Sequence, residues 1–227
     1  MTKSIKGLIP NTIKKPLKRF VLRYFGWDCY CPICRNWFRS FEPFGIIPRP
    51  NARCPVCSSL ERHRSVWYFF ENQTNLFDKS PKSMLHVAPE LEFERRLRRF
   101  PGIKYISADL YSPKAMLRMD ITNVPCADNC FDVIYCSHVL EHIPDDRRAK
   151  GELSRVLKHN GWAVILVPIT SQETFEDPSE ANPIKRLNLF GQEDHIRRYG
   201  PDIQERLEQE GFTVRCYSMT EIVGKKK

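Results

Sequence analysis

Apolar and polar positions alternate along the chain from residue 81 onwards in a way that predicts strands and helices in turn. Short apolar runs, typical of buried strands, are separated by charged segments whose apolar residues recur at helical spacing. In chain order we predict a strand at 83–88, a helix at 90–99, a strand at 103–109, a short extended segment at 117–120, a strand at 131–136, a helix at 145–158, a strand at 162–167, a helix at 202–210 and a strand at 212–217. Such alternation is typical of a parallel sheet with helices on both faces. The chain is therefore predicted to form a doubly wound α/β domain whose sheet has six strands.

The first predicted strand, helix and second strand end in an acid, Asp109, which lies 21 residues beyond the small residue Ala88. A nucleotide-binding α/β sheet places a carboxylate against ribose hydroxyls at a separation of about 20 residues. An ionised carboxylate can accept both O–H donors of such a diol. Asp109 is therefore a candidate ribose ligand, and a helix cap or loop acid is the alternative.

Residues 1–26 are predicted to form a basic amphipathic helix or arm. Between residues 11 and 25, apolar residues recur at helical spacing, and the cations fall mainly on the other faces. The apolar residues are Ile13, Leu17, Phe20, Val21 and Tyr24, and the cations are Lys14, Lys15, Lys18, Arg19 and Arg23. Such a helix binds an anionic membrane surface, with its apolar stripe in the lipid and its cations against the headgroups. Docking of the stripe on the protein's own surface is the alternative.

Positive charge is concentrated in the first 64 of the 227 residues, which hold 13 Lys and Arg against 3 Asp and Glu. An anionic partner, either lipid or nucleic acid, is therefore expected to meet the N-terminal segment. The sequence contains no run of about 18 apolar residues, so no membrane-spanning helix is predicted. The basic N-terminus lacks the apolar region of a secretory signal, so we expect a cytoplasmic protein, peripheral at the inner membrane face where the basic helix binds.

Two pairs of cysteines predict a structural zinc site in residues 27–60. Cys31 and Cys34 are separated from Cys54 and Cys57 by 19 residues, a spacing within the range of four-thiolate zinc ribbons. A segment of this size buries too little apolar surface to fold alone, so the metal would supply much of its folding free energy. The alternative, a redox pair, needs only one of the two motifs.

Other boundaries follow from changes in composition. Residues 37–44, between the cysteine pairs, are predicted to form a short hairpin, and Cys29 is left as an ordinary thiol. An aromatic run predicts a connecting helix within residues 61–80. The α/β domain occupies residues 81–227, and its insert at 170–200, rich in Pro, Asn and charge, is predicted to be a lid over a substrate pocket.

Several phrases of the α/β segment resemble those of class I S-adenosylmethionine-dependent methyltransferases. They are residues 119–125 (MDITNVP), 128–134 (DNCFDVI), 139–144 (VLEHIP), 153–158 (LSRVLK) and 161–162 (GW). The resemblance covers about residues 81–217 and implies a mostly parallel Rossmann-like methyltransferase sheet, S-adenosylmethionine as cofactor and methyl transfer as activity. The whole chain is also similar to bacterial zinc-ribbon methyltransferase-like proteins with a Ser-Leu-Glu-Arg-His-Arg segment, here residues 59–64, often met among cell-surface polysaccharide genes. The cations of that segment could face an anionic substrate group or form a solvated face.

The resemblance implies a cofactor site at the ends of the first strands. It assigns the methionine end of the cofactor to the turn after the first strand, the ribose to the acid of the second strand, and the adenine to the residues beyond it. These residues are His86, Ala88 and Glu90, then Asp109, and then Leu110, Asp120 and Ile121. A flat base needs apolar walls and one or two directed polar groups, so Asp120 would accept from the adenine amine while Ile121 covers a ring face. The alternative for Asp120 is a turn acid before Thr122.

The turn after the first strand departs from the family pattern. The family usually has an acidic residue and a glycine-rich turn there, whereas this chain has His86, Ala88, Pro89 and Glu90. Pro89 removes an N–H, and no glycine supplies easy access to positive φ. Either Glu90 takes the amino group of the cofactor, or cofactor binding has been lost.

Candidate catalytic bases follow the fourth strand. The sulfonium is already activated, so the protein has to position the acceptor and remove its proton where it has one. We predict His142 as general base and His195 next, with Glu141 and His138 beside them; a structural imidazole is the alternative for each histidine. In some ubiquinone-pathway O-methyltransferases a similar Glu-x-x-Glu-His segment holds a divalent metal, but here His138 takes the place of the first glutamate.

The predicted function is S-adenosylmethionine-dependent methyl transfer to a small molecule or a glycan precursor. An RNA methyltransferase is one alternative, because a basic zinc module suits phosphate contacts. Against it, residues 135–138 (YCSH) are not a base-amine motif, and the ribbon's cations are not obviously interleaved with exposed aromatics. A non-catalytic binding protein is the third possibility. Residues 138–142 also spell H-x-x-E-H, the zinc motif of inverted metallopeptidases, but that motif needs a continuous helix and here follows a buried strand.

Overall fold

The computed structural model describes residues 26–45, 47–218 and 221–222. These residues form two compact units, with the boundary between Thr74 and Asn75. The amphipathic segment predicted at residues 11–25 lies outside the described residues and stays a prediction. Among the residues that the structure describes, no helix combines the length and the apolar character needed to cross a bilayer.

The first unit consists of two short hairpins and a helix. Its elements are β1 (Cys29–Cys31), β2 (Asn36–Phe38), β3 (Glu42–Phe44), β4 (Arg49–Arg53) and α1 (Glu61–Gln73). β1 pairs antiparallel with β2, and β3 pairs antiparallel with β4. The prediction of one hairpin within residues 37–44 is therefore wrong. Each cysteine pair has its own hairpin, because β1 runs into the first pair and β4 leads into the second.

Residues 59–64 join the second cysteine pair to α1. The guanidinium of Arg64 donates to the backbone oxygen of Ser59 at 2.7 Å and to that of Ala52 at 3.0 Å. His63 is buried, and its Nδ1 accepts the N–H of residue 60 at 3.2 Å. Two of the three basic side chains in this segment thus stabilise the ribbon and its helix, which is a structural role.

The second unit is built on one parallel sheet. In chain order its elements are β5 (Lys82–Val87), α2 (Leu91–Leu97), β6 (Ile103–Asp109), β7 (Leu117–Arg118), β8 (Phe131–Ser137), a 3₁₀ turn (Leu140–His142), α3 (Asp146–Val156), β9 (Leu157–Leu166), β10 (Phe175–Glu176), α4 (Pro183–Phe190), β11 (Arg197–Arg198) and α5 (Ile203–Glu208). The sheet order is β7-β6-β5-β8-β9, with every neighbouring pair parallel. The predicted α/β, doubly wound Rossmann-like sheet is confirmed.

The predicted strand at 212–217 is wrong, and the sheet has five strands instead of six. Phe212 and Val214 pack half-buried against the core, which explains their alternation with exposed residues. The backbone of this segment, however, joins no ladder within the described part of the chain. A segment that buries every second side chain against the core has the same sequence pattern as a strand, even when its backbone makes no ladder hydrogen bonds.

The core lies on both faces of the sheet, since neighbouring residues of a strand point to opposite faces. Leu85 and Val87 belong to the cluster shared with Leu153 of α3. His86 points to the other face, where its ring lies 6.2 Å from that of Phe93 in α2. The strand order reverses between β5 and β8, and in doubly wound sheets the crevice for a ligand opens at the carboxyl ends of such strands.

Candidate functional site

The turn after β5 has the backbone geometry of a glycine turn without a glycine. Ala88 has φ of +49°, a left-handed conformation that costs an alanine roughly 1–2 kcal/mol. Its N–H donates to the backbone oxygen of Ala108 at 2.8 Å, which extends the β5–β6 ladder by one residue. Pro89 and Glu90 follow in extended or capping positions before α2. The residues that replace the glycines therefore still turn the chain away from the strand ends.

His86 holds Glu90 in place beneath this turn. His86 is fully buried; its Nδ1 lies 2.8 Å from the hydroxyl of Tyr105 and its Nε2 lies 2.9 Å from Oε2 of Glu90. The hydroxyl of Tyr135 donates to Oε1 of Glu90 at 3.5 Å. Burial raises the pKa of Tyr105, so its phenol stays neutral. Because both ring nitrogens are engaged inside the protein, His86 positions Glu90, and any contact with a cofactor would be made by Glu90.

The carboxylate of Asp109 is oriented by the loop that follows β6. Its Oδ1 accepts the N–H groups of Tyr111 and Ser112, both at 2.7 Å. Within the described residues, Oδ2 has no hydrogen-bond partner. The backbone oxygen of Leu110 accepts from Arg118 at 3.1 Å. Asp109 is thus a half-buried acid with one fixed and one available oxygen at the end of its strand.

Asp120 and Ile121 lie where the resemblance implies an adenine site. Asp120 is exposed, and its Oδ1 accepts both the N–H and the hydroxyl of Thr122 at 2.8 Å. This is the turn geometry named above as the alternative, and it leaves Oδ2 for another donor. Ile121 is buried in the core cluster, so it presents little surface to a base. The two adenine contacts stay predictions.

Ser137 is a site residue that sequence reasoning missed. It ends β8, and because Cys136 pairs with Val87 in the ladder, Ser137 lies beside Ala88 at the point where the strand order reverses. Its hydroxyl is buried and has no partner among the residues described. Leaving such a group unpaired costs roughly 1–3 kcal/mol. The only signal in the sequence is a hydroxyl at the end of an otherwise apolar strand. The strand predicted at 131–136 ends one residue before it.

The four predicted catalytic residues lie together beyond β8. Ligand atoms of Glu141, His142 and His195 are all within 4.8 Å of one another, and the two imidazole rings meet edge to face with centroids 4.7 Å apart. Nδ1 of His138 lies 3.1 Å from Oε1 of Glu141. We refer to Glu141, His142 and His195 as the histidine–glutamate cluster.

The cluster is assembled by the end of the 170–200 insert. The N–H of Ile196 donates to the backbone oxygen of Glu141 at 3.1 Å. The buried guanidinium of Arg197 donates to the backbone oxygen of Leu140 at 2.6 Å and to the carboxylate of Glu176 at 2.9 Å. This end of the insert is therefore packed onto the 3₁₀ turn and brings in His195 from more than 50 residues away, while the lid role of the whole insert stays a prediction.

Burial controls the charge of the cluster. Desolvation lowers the pKa of His195, and the neighbouring His142 lowers it further, so His195 is a neutral imidazole near pH 7. The side chain of Glu141 is only 1% exposed, and its Oε2 has no hydrogen-bond partner in the described part of the chain. The side chain of His142 is 30% exposed and faces solvent more than the other two.

The metallopeptidase interpretation of residues 138–142 does not fit this geometry. His138 has φ of +53°, and only Leu140–His142 form a 3₁₀ turn. The two histidines of the motif are therefore not one turn apart on a continuous α-helix, which that zinc motif requires.

The four ribbon cysteines form one compact cluster. Sγ of Cys31 lies 3.6 Å from that of Cys57, and Sγ of Cys34 lies 3.7 Å from that of Cys54. Four thiolates at about 2.3 Å from one zinc ion form a tetrahedron with edges of about 3.8 Å. Hydrogen bonds among the thiols lower the pKa of Cys31 and raise that of Cys54. All four sulfur atoms lie within 4.8 Å of one another, so the cluster fits a zinc ion with at most small shifts of the side chains.

The first hairpin of the ribbon presents an aromatic surface, contrary to the expectation from sequence. Trp27, Tyr30 and Trp37 are 81%, 44% and 44% exposed. The ring of Trp37 lies 6.3 Å from that of Trp27 and 5.0 Å from that of Tyr30. Arg35 and Arg39 are exposed on the same hairpin. Cations and exposed aromatic rings are thus combined on this surface.

Comparison with known proteins agrees with the geometry of the second unit. Residues 83–165 match the family described as a methyltransferase domain. A search among curated proteins gives no match.

Similar solved structures include three from prokaryotes. A candidate methyltransferase of Bacillus halodurans is 19% identical, with 60% of this chain and 62% of that chain covered and a TM-score of 0.44. An S-adenosylmethionine-dependent methyltransferase of Archaeoglobus fulgidus is 17% identical, with 68% and 70% covered and a TM-score of 0.46. One of Mesorhizobium loti is 13% identical, with 67% and 82% covered and a TM-score of 0.47. The chain spans less than two thirds of the Bacillus halodurans protein.

Proposed function

We propose that this chain, whose residues 83–165 match a methyltransferase domain, is a class I S-adenosylmethionine-dependent methyltransferase that transfers the methyl group of that cofactor to a small-molecule or glycan-precursor acceptor. The observation that carries this proposal is the pairing of an oriented acid with an unpartnered hydroxyl where the strand order reverses. Asp109 keeps one carboxylate oxygen available, and Ser137 has a buried hydroxyl without a partner. Both are polar groups that a ligand at this edge would complete.

The residues present fit the cofactor in spite of the altered turn. The left-handed φ of Ala88 keeps the chain turning as a glycine would. Glu90 supplies a carboxylate for an ammonium group, and the bond to His86 fixes its position. Asp109 accepts from ribose hydroxyls through the oxygen that its own loop leaves unused. S-adenosylmethionine supplies an activated methyl group, so positioning of the acceptor is the main task left to the protein.

The histidine–glutamate cluster follows directly on β8, on the side where the family places its acceptor. His142 is the more accessible of the two imidazoles, and we propose it as the group that accepts a proton from the acceptor, with His195 and Glu141 orienting it. His195 is neutral near pH 7 because burial lowers its pKa, so it does not repel a proton on its neighbour at that pH.

Titration of the full chain with S-adenosylhomocysteine tests the cofactor assignment. In Asp109→Asn the amide oxygen still accepts the two loop N–H groups, but the negative charge is lost. Hydrogen bonds to charged groups contribute about 1.5–3 kcal/mol, so we expect the affinity in calorimetry to fall about 10- to 100-fold. Asp177→Asn is the matched control, because Asp177 accepts the N–H and hydroxyl of Ser179 in a similar turn that belongs to the insert and not to a strand end of the sheet.

Absence of binding to the wild-type chain would refute cofactor binding and favour a non-catalytic binding protein. Equal affinities of wild type and Asp109→Asn would refute the placement of the ribose.

We also propose a structural zinc ion in the ribbon, held by Cys31, Cys34, Cys54 and Cys57. The support is the spacing of the sulfur atoms, which matches a zinc tetrahedron. Four thiolates fill the coordination sphere, so this ion has no position for a substrate. The expected result is one tightly held zinc per chain from the ribbon in elemental analysis of the purified protein.

Binding of RNA through the ribbon is a second candidate function. Its support is the aromatic surface of Trp27, Tyr30 and Trp37 next to Arg35 and Arg39, since bases stack on exposed rings while cations contact phosphates. Each stacked ring contributes about 1–3 kcal/mol, so substitution of all three rings by alanine is expected to reduce affinity for single-stranded RNA by at least about 100-fold. Binding that is absent in low salt, or unchanged in the triple variant, would exclude this function.

Association with an anionic membrane through residues 11–25 remains a separate proposal that rests on the sequence pattern. Flotation with vesicles of anionic lipid, using the full chain and a variant without residues 1–26, tests it. Equal flotation of both proteins would refute it.

A further inference from the structure

We infer that the histidine–glutamate cluster of Glu141, His142 and His195 binds a divalent transition-metal ion, in addition to the zinc of the ribbon. The three side chains offer two imidazole nitrogens and one carboxylate oxygen within 4.8 Å of one another. Two imidazoles and one carboxylate are a common ligand set for Zn²⁺ and related divalent ions.

The unpartnered oxygen of Glu141 points to a missing ligand. The carboxylate is nine-tenths buried or more, since 1% of the side chain is exposed. Its Oε1 is taken by His138 at 3.1 Å, whereas Oε2 has no hydrogen-bond partner among the described residues. No salt bridge to Lys or Arg involves this carboxylate in the described part of the chain. A buried carboxylate oxygen without a donor is costly, and a cation would remove that cost.

Each histidine of the cluster already has an acceptor for one ring nitrogen. Nδ1 of His142 lies 3.3 Å from the backbone oxygen of Asp194 and 3.3 Å from its carboxylate. The ring of His195 is hydrogen-bonded to the backbone of Phe190. Such outer contacts fix the tautomer of a metal-binding histidine and leave the lone pair of the other nitrogen for the ion.

The cluster is positioned before any ion arrives. The backbone bond from Ile196 to Glu141 and the contacts of Arg197 with Leu140 and Glu176 hold the two segments together. Ligands at about 2.1 Å from one ion in a tetrahedron are about 3.4 Å apart. The ligand atoms therefore need to move inward by no more than about 1.4 Å, and small rotations of the side chains, above all of the half-buried His142, can supply this movement.

The chemistry of the ligand set selects the class of ion. Imidazole suits Zn²⁺, Co²⁺, Ni²⁺ and Fe²⁺, whereas Mg²⁺ and Ca²⁺ prefer oxygen ligands. Three protein ligands leave at least one position open, in contrast to the closed site in the ribbon. If the proposed methyl transfer holds, this position would take an acceptor oxygen and lower the pKa of its proton, so that in the metal-bound protein the ion would take over the activation that His142 is proposed to perform in its absence.

Metal titration of the full chain tests the inference without any activity measurement. Protein freed of metal and reconstituted with Zn²⁺ or Co²⁺ is expected to bind two equivalents per chain. One equivalent of Co²⁺ should show the sulfur-to-metal charge-transfer absorption of a thiolate site, and the other should lack it. In Glu141→Gln and in His195→Gln, affinity for the second equivalent is expected to fall at least 100-fold, because loss of an outer contact alone costs 10- to 100-fold.

His159→Gln is the matched control, since His159 lies exposed in β9 outside the cluster, and it should keep two equivalents. Retention of the thiolate-bound equivalent and a native circular-dichroism spectrum show that each variant has folded. If His195→Gln does not fold, the nearly isosteric Glu141→Gln decides the question.

A single equivalent in the wild-type chain would overturn the inference, and so would two equivalents of unchanged affinity in a folded Glu141→Gln. Binding of S-adenosylhomocysteine is measured separately, so failure of the metal site and failure of the cofactor site are distinguishable.

Discussion

The ribbon and the carboxyl edge of the sheet gather reactive side chains by opposite routes. All four ribbon sulfurs come from 27 consecutive residues, in two pairs whose spacing already defines the site. At the sheet edge, Ala88, Asp109 and Ser137 come from three separate strand ends, and His195 arrives from the end of the insert. The first region is proposed to fold around a metal ion, whereas the second is built on a hydrophobic core.

This difference determines what each region can do. With the proposed zinc bound, the four ribbon thiolates would fill the coordination sphere and leave no position for a substrate. The sheet edge has polar atoms without a hydrogen-bond partner among the described residues, namely the hydroxyl of Ser137 and Oε2 of Glu141. A stable core can carry such unpaired groups because its stability comes from elsewhere, and these groups are where a ligand can bind.

The largest effect is expected from removing a ribbon ligand. Cys54→Ser deletes a buried thiolate, and structural zinc contributes on the order of 10 kcal/mol to the folding of small metal domains. We expect loss of the ribbon zinc and rapid protease cleavage within residues 26–74, with the unfolding transition of the second unit retained. Zinc analysis and limited proteolysis followed by mass spectrometry provide the measurement.

Cys29→Ser is the control for that experiment, because Cys29 lies two residues before Cys31 but is not part of the sulfur cluster. It should keep both its zinc and its protease resistance. A Cys54→Ser protein that retains zinc and resists cleavage would show that the ribbon folds without a closed metal site.

Removing the guanidinium of Arg197 is expected to have the next largest effect, because this buried group holds the insert on the 3₁₀ turn. Arg197→Met removes the donor to Oε2 of Glu176 and to the backbone oxygens of Leu140 and Ile143, while Arg206 still donates to Oε1 of Glu176. Loss of hydrogen bonds from one charged, buried guanidinium costs about 1.5–3 kcal/mol. The free energy of unfolding in urea should fall by this amount.

The same variant should bind its second metal equivalent more weakly, since His195 is no longer held against Glu141. The exposed Arg215 provides the control, and Arg215→Met should change stability by no more than about 0.5 kcal/mol. A stable Arg197→Met protein would mean that the insert is held mainly by its backbone contacts.

The sequence predicts local features of both regions and fails where distant segments meet. The cysteine spacing and the periodicity of residues 83–166 give the ribbon and the parallel sheet, because each depends on neighbouring residues. Asp109 is predictable because its separation from Ala88 is fixed by one strand–helix–strand unit. The partnership of His195 with Glu141 is not, because it depends on the path of the insert. The strand predicted at 212–217 is wrong for the same reason. Alternation of side chains does not reveal whether a distant strand is available for pairing.

Ser137→Ala separates a ligand-binding role from a structural one. The hydroxyl has no hydrogen-bond partner in the part of the chain that the structure describes, so its removal should leave stability unchanged or raise it by up to about 1 kcal/mol. Affinity for S-adenosylhomocysteine should fall about 3- to 10-fold, the value of one neutral hydrogen bond. Both quantities can be measured on one preparation by urea unfolding and calorimetry.

Ser107→Ala is the matched control, because that buried hydroxyl accepts the N–H of Met116 at 3.1 Å. Ser107→Ala should lower the free energy of unfolding by about 1 kcal/mol and reduce the affinity for S-adenosylhomocysteine less than Ser137→Ala does. If Ser137→Ala destabilises the protein to the same extent, the Ser137 hydroxyl already has a hydrogen-bond partner in the ligand-free protein, and a ligand-binding role for it would be refuted.

The smallest effect is expected at the turn itself. Ala88 has φ of +49°, a conformation that costs an alanine roughly 1–2 kcal/mol in the folded state. Glycine adopts it without this cost, but its greater freedom stabilises the unfolded state by about 0.4–1 kcal/mol. Ala88→Gly should therefore raise the free energy of unfolding by about 0.5–1 kcal/mol. The opposite change at a helical site, Ala149→Gly in α3, should lower it by about 1 kcal/mol. Equal destabilisation of the two variants in urea would show that Ala88 does not take the left-handed conformation, and the glycine-like turn at the cofactor crevice would have to be abandoned.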